Sequence, residues 1–190
     1  MAGMPRPPSI DEDQLADLIV SVFREKGFDG TGIGDLSAAT GLQRASLYHR
    51  FPEGKEQMAQ AALTTVERRF GWVLAPMRDD PDVGAGIAET ARRLGAFYEA
   101  GALSCVLDTM TLAGAPAALR DHARSLATAW LEAMTDASRR AGRRPEAAVR
   151  AARDAFVRIE GALVLARVTG DTGVFAETVA LLPSLLTPEA

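Results

Sequence analysis

Apolar residues recur at three- and four-residue intervals along almost the whole of this 190-residue chain. That interval lines one face of an α-helix, and the two-residue alternation of a strand is nearly absent. The chain is therefore expected to be all-α. Glycine and proline divide it into nine predicted helices, at about 9–26, 33–40, 44–50, 55–75, 83–100, 103–113, 116–141, 145–169 and 172–186. In the first, Ser9 and Glu12 have the spacing of a capping box, and Asp11, Glu12 and Asp13 suit the positive end of the helix dipole. Leu15, Leu18, Ile19, Val22 and Phe23 form one buried stripe, and Gly27 ends it.

What the chain can do is narrowed by what it lacks. Hydrophobic residues make up 47% and charged residues 24%, which is enough to build a core. One Cys allows no intrachain disulfide. No apolar run is long enough to span a bilayer, and Met1–Pro8 lacks the apolar stretch of a signal peptide, so a cytoplasmic protein without a membrane partner is expected. The two histidines, His49 and His122, do not make a zinc spacing with Cys105, and neither metal nor cofactor is expected. Cys105 stands among Leu103, Val106 and Leu107, where a buried inert thiol is usual; an enzyme using it is the lesser alternative. The glycine-rich run 28–35 has Asp35 where a phosphate-cradling loop needs glycine, and no strand precedes it. A loop with Thr31 capping the second helix explains it better.

The second and third predicted helices are short and joined by a turn at Gly41. Ile33, Leu36, Ala39, Leu42, Leu47 and Phe51 can all face the first helix. Two such helices form a helix-turn-helix pattern at about 31–50. The net charge of −4 and pI of 5.3 argue the other way, and they support a second alternative, a helical interaction module without DNA binding. DNA binding requires the basic residues to be local. Arg44, Arg50 and Lys55 lie together with only Glu53 opposing them, and the acids at 11–17 are expected on the far side of the first helix. A second basic run holds Arg139, Arg140, Arg143, Arg144, Arg150 and Arg153; it reads as a helix end and a solvated face.

The stretch from Phe23 to Met58, FREKGFDGTGIGDLSAATGLQRASLYHRFPEGKEQM, resembles the TetR (tetracycline repressor) family of bacterial transcription regulators. The order of an aromatic, Thr, Ile, Asp-Leu, Ala-x-Thr-Gly-Leu, then Ser-Leu-Tyr-His-x-Phe-Pro and Gly-Lys-Glu carries the likeness. Phe51-Pro52-Glu53-Gly54-Lys55-Glu56 has one residue more than the commoner motif. It resembles one branch, whose members include repressors of drug-efflux and flavonoid-responsive genes. Two departures stand out: Gly34 is a poor helix former, and Ala45 stands where Gly is common.

The resemblance implies a nine-helix subunit in two parts. Residues 9–54 would be the DNA-binding domain, and 55–190 a helical ligand-binding and dimerisation domain. It implies a homodimer, double-stranded operator DNA as partner, and a small-molecule effector that releases it; the chain would be a repressor and not an enzyme. The third helix would enter the major groove, with Gln43, Arg44, Ala45 and Ser46 nearest the base edges. Tyr48, His49, Thr31 and Lys55 would meet phosphate. The dimer would form through the last two helices, with Ala152, Phe156, Ile159, Leu163, Phe175, Val179 and Leu182 between subunits. The effector pocket would lie among the middle helices, lined by Phe97, Leu107, Met110, Trp130, Met134, Phe156 and Glu160, for an apolar or aromatic ligand.

Overall fold

The computed structural model describes residues 10–112 and 114–188. Among these there are ten α-helices, one short 3-10 turn and no strand. They are α1 (Glu12–Gly30), α2 (Ile33–Thr40), α3 (Arg44–Arg50), α4 (Lys55–Asp79), α5 (Val83–Phe97), α6 (Val106–Thr109), α7 (Ala117–Arg140), α8 (Pro145–Thr169), α9 (Gly173–Ala180) and α10 (Leu182–Leu186). The all-α expectation holds, but the count of nine does not. The last predicted helix is divided at Leu181, and Pro183 sits in the first turn of α10, where its missing N–H is harmless. The segment expected at 103–113 is helical for one turn only, Val106–Thr109.

The start of α1 differs as well. Asp11 is its N-cap, without a side-chain cap bond. The expected Ser9 capping box lies outside the described residues. At the other end Gly27, with φ 68°, interrupts the helix as expected, and one further turn follows to Gly30.

α4 passes through Pro76, where the helix was expected to stop. Proline there removes an N–H that would have bonded to the carbonyl four residues back, Trp72 O. That carbonyl is not left empty: Arg93 of α5 donates Nη1–H to it at 2.7 Å, and its guanidinium lies 4.1 Å from the Trp72 ring centre. A long-range donor thus replaces the local one.

Two cores meet along α4. The first gathers Leu15, Ile19, Phe23, Leu36 and Leu47 around the N-terminal half of α4, from Met58 to Val66, and takes in Val106, Met110 and Leu119 from α6 and α7. The second gathers Phe70, Leu74 and Met77 of α4 with Leu94, Trp130, Met134, Ile159, Phe175 and Leu186. Phe97 and Leu107 border both. Ala39, expected to face inward, is exposed.

The second basic run serves the fold. Arg140 reaches the carbonyls of Met77 and Asp80, and Arg143 reaches those of Leu185, Leu186 and Thr187. Both tie chain ends that would otherwise leave acceptors bare. No described helix is long and apolar enough to cross a membrane.

Candidate nucleic-acid interface

α3 is seven residues long and holds one fully buried side chain, Leu47. Leu47 is the anchor that presses the helix onto α1 and α2. The rest of the helix is turned outward: Gln43, Arg44, Ala45, Ser46, Tyr48 and His49 are all exposed. Gln43 is the N-cap but makes no side-chain cap bond, so its amide is not spent on the helix end. The six residues read from the sequence as base or phosphate contacts on this helix therefore share one solvent-facing surface. A shallow open depression runs beside them, lined by Leu42, Ala45, Ser46, His49 and Arg50.

The two contacts expected off the helix are placed differently. Thr31 is 1% exposed and donates its hydroxyl to Gly27 O at 2.6 Å. It is a closing bond of the α1–α2 turn, not a phosphate ligand, and it does not cap α2 either. Gly32 is that cap position, and Asp35 Oδ2 accepts from the Gly32 N–H at 2.8 Å. Lys55 donates to Phe28 O at 2.9 Å, and its ammonium lies 4.2 Å from the Phe28 ring centre. It pins the start of α4 to the same turn.

The local charge is arranged otherwise than expected. Of the acids of α1, Glu12 pairs with Arg50 at the end of α3, while Asp13 and Asp17 pair with arginines of α4. Glu12 accepts from Arg50 at 2.6 Å, Asp13 from Arg68 at 2.7 Å, and Asp17 is paired with Arg69. Arg68 beside Asp13 holds its carboxyl below the usual value. Lys26 pairs with Asp35 at 2.5 Å, across the α1–α2 turn, and its hydrogen bond lowers the Asp35 carboxyl likewise. With Arg50 and Lys55 engaged, Arg44 is the exposed cation left at the start of α3, and it forms no ion pair among the described residues.

Sequence reading missed the neighbour of Gly34 in α2. The Arg44 guanidinium lies beside it, 3.4 Å from where a Cβ would stand. The signal was the poor helix former itself, which sequence reasoning registers only as a cost.

The proposed effector residues do not form one wall. Met110 is in the N-terminal core, and Trp130 and Met134 are 0% exposed in the second core. Leu107, Phe156 and Glu160 do come together, on a cleft of about 480 Å³ between α6, α7 and α8 that Asp108, Arg120 and Arg124 also line. Glu160 Oε1 and Trp130 Nε1 are both buried without a partner among the described residues. Burial raises the Glu160 carboxyl above its usual value.

The expected dimer residues are corrected too. Ala152, Ile159, Leu163, Phe175, Val179 and Leu182 are each no more than 5% exposed within one subunit, and Phe156 packs against the same core. The six buried side chains are spent on the subunit's own core, while Phe156 is only partly buried. The exposed face of α8 carries another apolar stripe: Val157, Val164, Leu165 and Val168, the last 74% exposed.

Cys105 is buried, and burial pushes its thiol up to about 12. Its hydrogen-bonding neighbour is the Tyr98 hydroxyl, which donates to Sγ at 3.6 Å. His122 is engaged with Gln60 and Glu67 instead, and His49 is on α3. No Cys–His pair exists, and the thiol is not a nucleophile near neutral pH.

Residues 15–62 match the family model described as bacterial regulatory proteins, tetR family. A negative transcriptional regulator of HTH type, the biofilm operon icaADBC regulator IcaR of Staphylococcus epidermidis, is 30% identical over 69 residues. That match covers 36% of this chain and 37% of IcaR, little more than a third of its length. A TetR transcriptional regulator from Legionella pneumophila superposes with a TM-score of 0.81 at 16% identity, covering 94% of this chain and 98% of that one. A cysteine mutant of the TetR family regulator CifR, complexed with 26-bp double-strand operator DNA, gives 0.73 at 21% identity, covering 95% and 98%. The family-model match lies within α1 to α4, and the likeness to these solved structures, at 16% and 21% identity, is a likeness of fold.

Proposed function

We propose that this chain is a dimeric DNA-binding transcription regulator, a repressor released from its operator by a small molecule, working in the cytoplasm. The observation that carries the reading is the outward face of α3. It offers an amide, a guanidinium, two hydroxyls and an imidazole to solvent from a helix whose only buried side chain is Leu47. Arg44 suits the two acceptors of guanine and Gln43 those of adenine, while Ala45 suits a thymine methyl. Ser46 suits a base edge as well, and Tyr48 and His49 suit phosphate. Residues 9–54 form the DNA-binding unit and 55–190 the ligand-binding and dimerisation unit. The motif at 51–56 supports membership of the branch with Phe-Pro-x-Gly-Lys-Glu. IcaR's printed role as a negative regulator supports repression.

The second chain docks on the exposed stripe of α8, from Val157 to Val168, which would otherwise leave large apolar side chains in water. Dimerisation would set two copies of α3 one turn of DNA apart, about 34 Å. The effector occupies the cleft bounded by Leu107, Phe156 and Glu160. α4 contributes Met58–Val66 to one core and Phe70–Met77 to the other, so a shift of α4 driven from the second core moves the first. The ligand alters operator affinity only as far as it prefers one position of α4.

The test is fluorescence anisotropy with the chain's own upstream DNA. Arg44→Ala should weaken binding by about 1–3 kcal/mol, roughly five- to 150-fold, with the melting temperature unchanged. Equal affinity of wild type and variant for operator and for random DNA would end the proposal.

A further inference from the structure

A second cleft, of about 700 Å³, opens between α1, α4, α5 and the segment leading to α6. It lies apart from the effector cleft, on the junction of the two cores, and its volume suits a small molecule. Arg24 of α1 reaches into it. Its guanidinium carbon is 5.3 Å from the Phe97 ring centre and 6.0 Å from that of Tyr98. Its Nε is buried and has no acceptor among the described residues. Of the other arginines of the cleft, Arg69 pairs with Asp17, which also lines it, and the exposed Arg167 donates to the neutral Ser104 Oγ at 3.1 Å. The half-buried Arg24 guanidinium rests on two aromatic rings with one N–H left without an acceptor, and a carboxylate paired to it would supply that acceptor and a counter-charge.

We infer that this cleft binds a monocarboxylate attached to a compact apolar or aromatic body, with Arg24 as its carboxylate ligand. The choice of a single charge follows from the walls. Glu25 and Glu99 line the same cleft, exposed, and would repel the further charge of a phosphate. The apolar body is expected from Val20, Val66 and Leu103 on the remaining wall. Burial pushes the Arg24 guanidinium below its usual value, with Tyr98, Cys105 and Glu99 acting the other way. The cleft's lining includes one non-glycine residue in the left-handed region, Glu99 at φ 47°. Such backbone persists where surrounding structure enforces it, and it clusters at ligand clamps.

A bound acid would join α1 to the α5–α6 segment and so fix the DNA-binding unit against the rest. That consequence rests on the proposed regulator function; the binding itself does not. The experiment is calorimetric titration of the full chain, without DNA, using benzoate and its uncharged counterpart benzamide. Benzoate should bind one per chain, and benzamide at least about tenfold more weakly. Arg24→Gln should lose benzoate binding, Arg24→Lys should retain part of it, and Arg92→Gln, a surface control, should bind as wild type. Absence of benzoate binding at millimolar concentration, equal binding of benzamide, unchanged binding by Arg24→Gln, or equal loss in Arg92→Gln would each overturn the inference. The benzoate–benzamide comparison uses wild-type protein, so it stands even if Arg24→Gln does not fold.

Discussion

At the scale of single residues, position in the fold decides between chemistry and inertness. Arg44 and Arg50 are six residues apart on the same helix, yet Arg50 is spent on Glu12 while Arg44 is left for an outside partner. Thr31 and Ser46 carry the same hydroxyl, but Ser46 is exposed while that of Thr31 closes a turn. Cys105 makes the same point. A thiol at about 12 is protonated at neutral pH, and its side chain is sealed in the core. Iodoacetamide at neutral pH should leave the native chain unlabelled over hours and label it promptly in denaturant, as mass spectrometry would show. Fast labelling of the native chain would contradict both the burial and the raised pKa.

At the scale of helices, α8 has two apolar faces and the sequence does not say which one faces a partner. One runs through Ala152, Ala155, Ile159 and Ala162 into the subunit's own core; the other runs through Val157, Val164 and Val168 into solvent. Val157→Asp with Val168→Asp should give a folded monomer by sedimentation velocity. Ile159→Asp should instead unfold the chain, since it buries an unpaired charge. Retained dimers in the double variant would move the interface elsewhere. α5 is fixed to α4 by a different means. Glu89 accepts from Arg92 and Arg93, which hold its carboxyl down to about 2, while Arg93 also covers Trp72. A lowered carboxyl contributes stability above the ordinary carboxylate value, lost as pH falls toward about 2. Thermal melts should therefore separate wild type from Glu89→Gln by roughly a degree or two at pH 6, the pairs being exposed, and converge near pH 2. A gap that widened in acid would reverse that sign.

For the molecule as a whole, α1 packs on α6 as well as on α4, which ties the N-terminal helices to a segment far along the chain. Gly27 sits at that junction with φ 68°, and a Cβ there would stand 2.7 Å from Thr109 O. Gly27→Ala should cost about 1–2 kcal/mol or more, seen as several degrees in the melting temperature, since left-handed backbone and close approach both act against a side chain. A melting temperature equal to that of wild type would show that the junction yields freely. Thr109 also faces this contact, with its hydroxyl 3.5 Å from Phe23 O. The residues of α6 thus belong to the first core although they lie far along the chain, and a boundary read at residue 54 does not divide the packing in two.

The sequence by itself determined the all-helical class, the order of the longer helices and the short helix pair α2–α3, because helical periodicity and glycine placement act within a few residues of each other. The buried Leu36 and Leu47 were legible for the same reason. Tertiary structure alone decided where Thr31 and Lys55 point, which face of α8 is free, that α4 continues through Pro76, and that Arg24 lacks a counter-ion. Each of these depends on a group brought from a distant part of the chain: Arg93 at the Trp72 carbonyl, α9 and α10 over one side of α8, Phe97 and Tyr98 beneath Arg24. Local spacing carries no record of such partners, since burial and pairing are settled only when separate helices share one core.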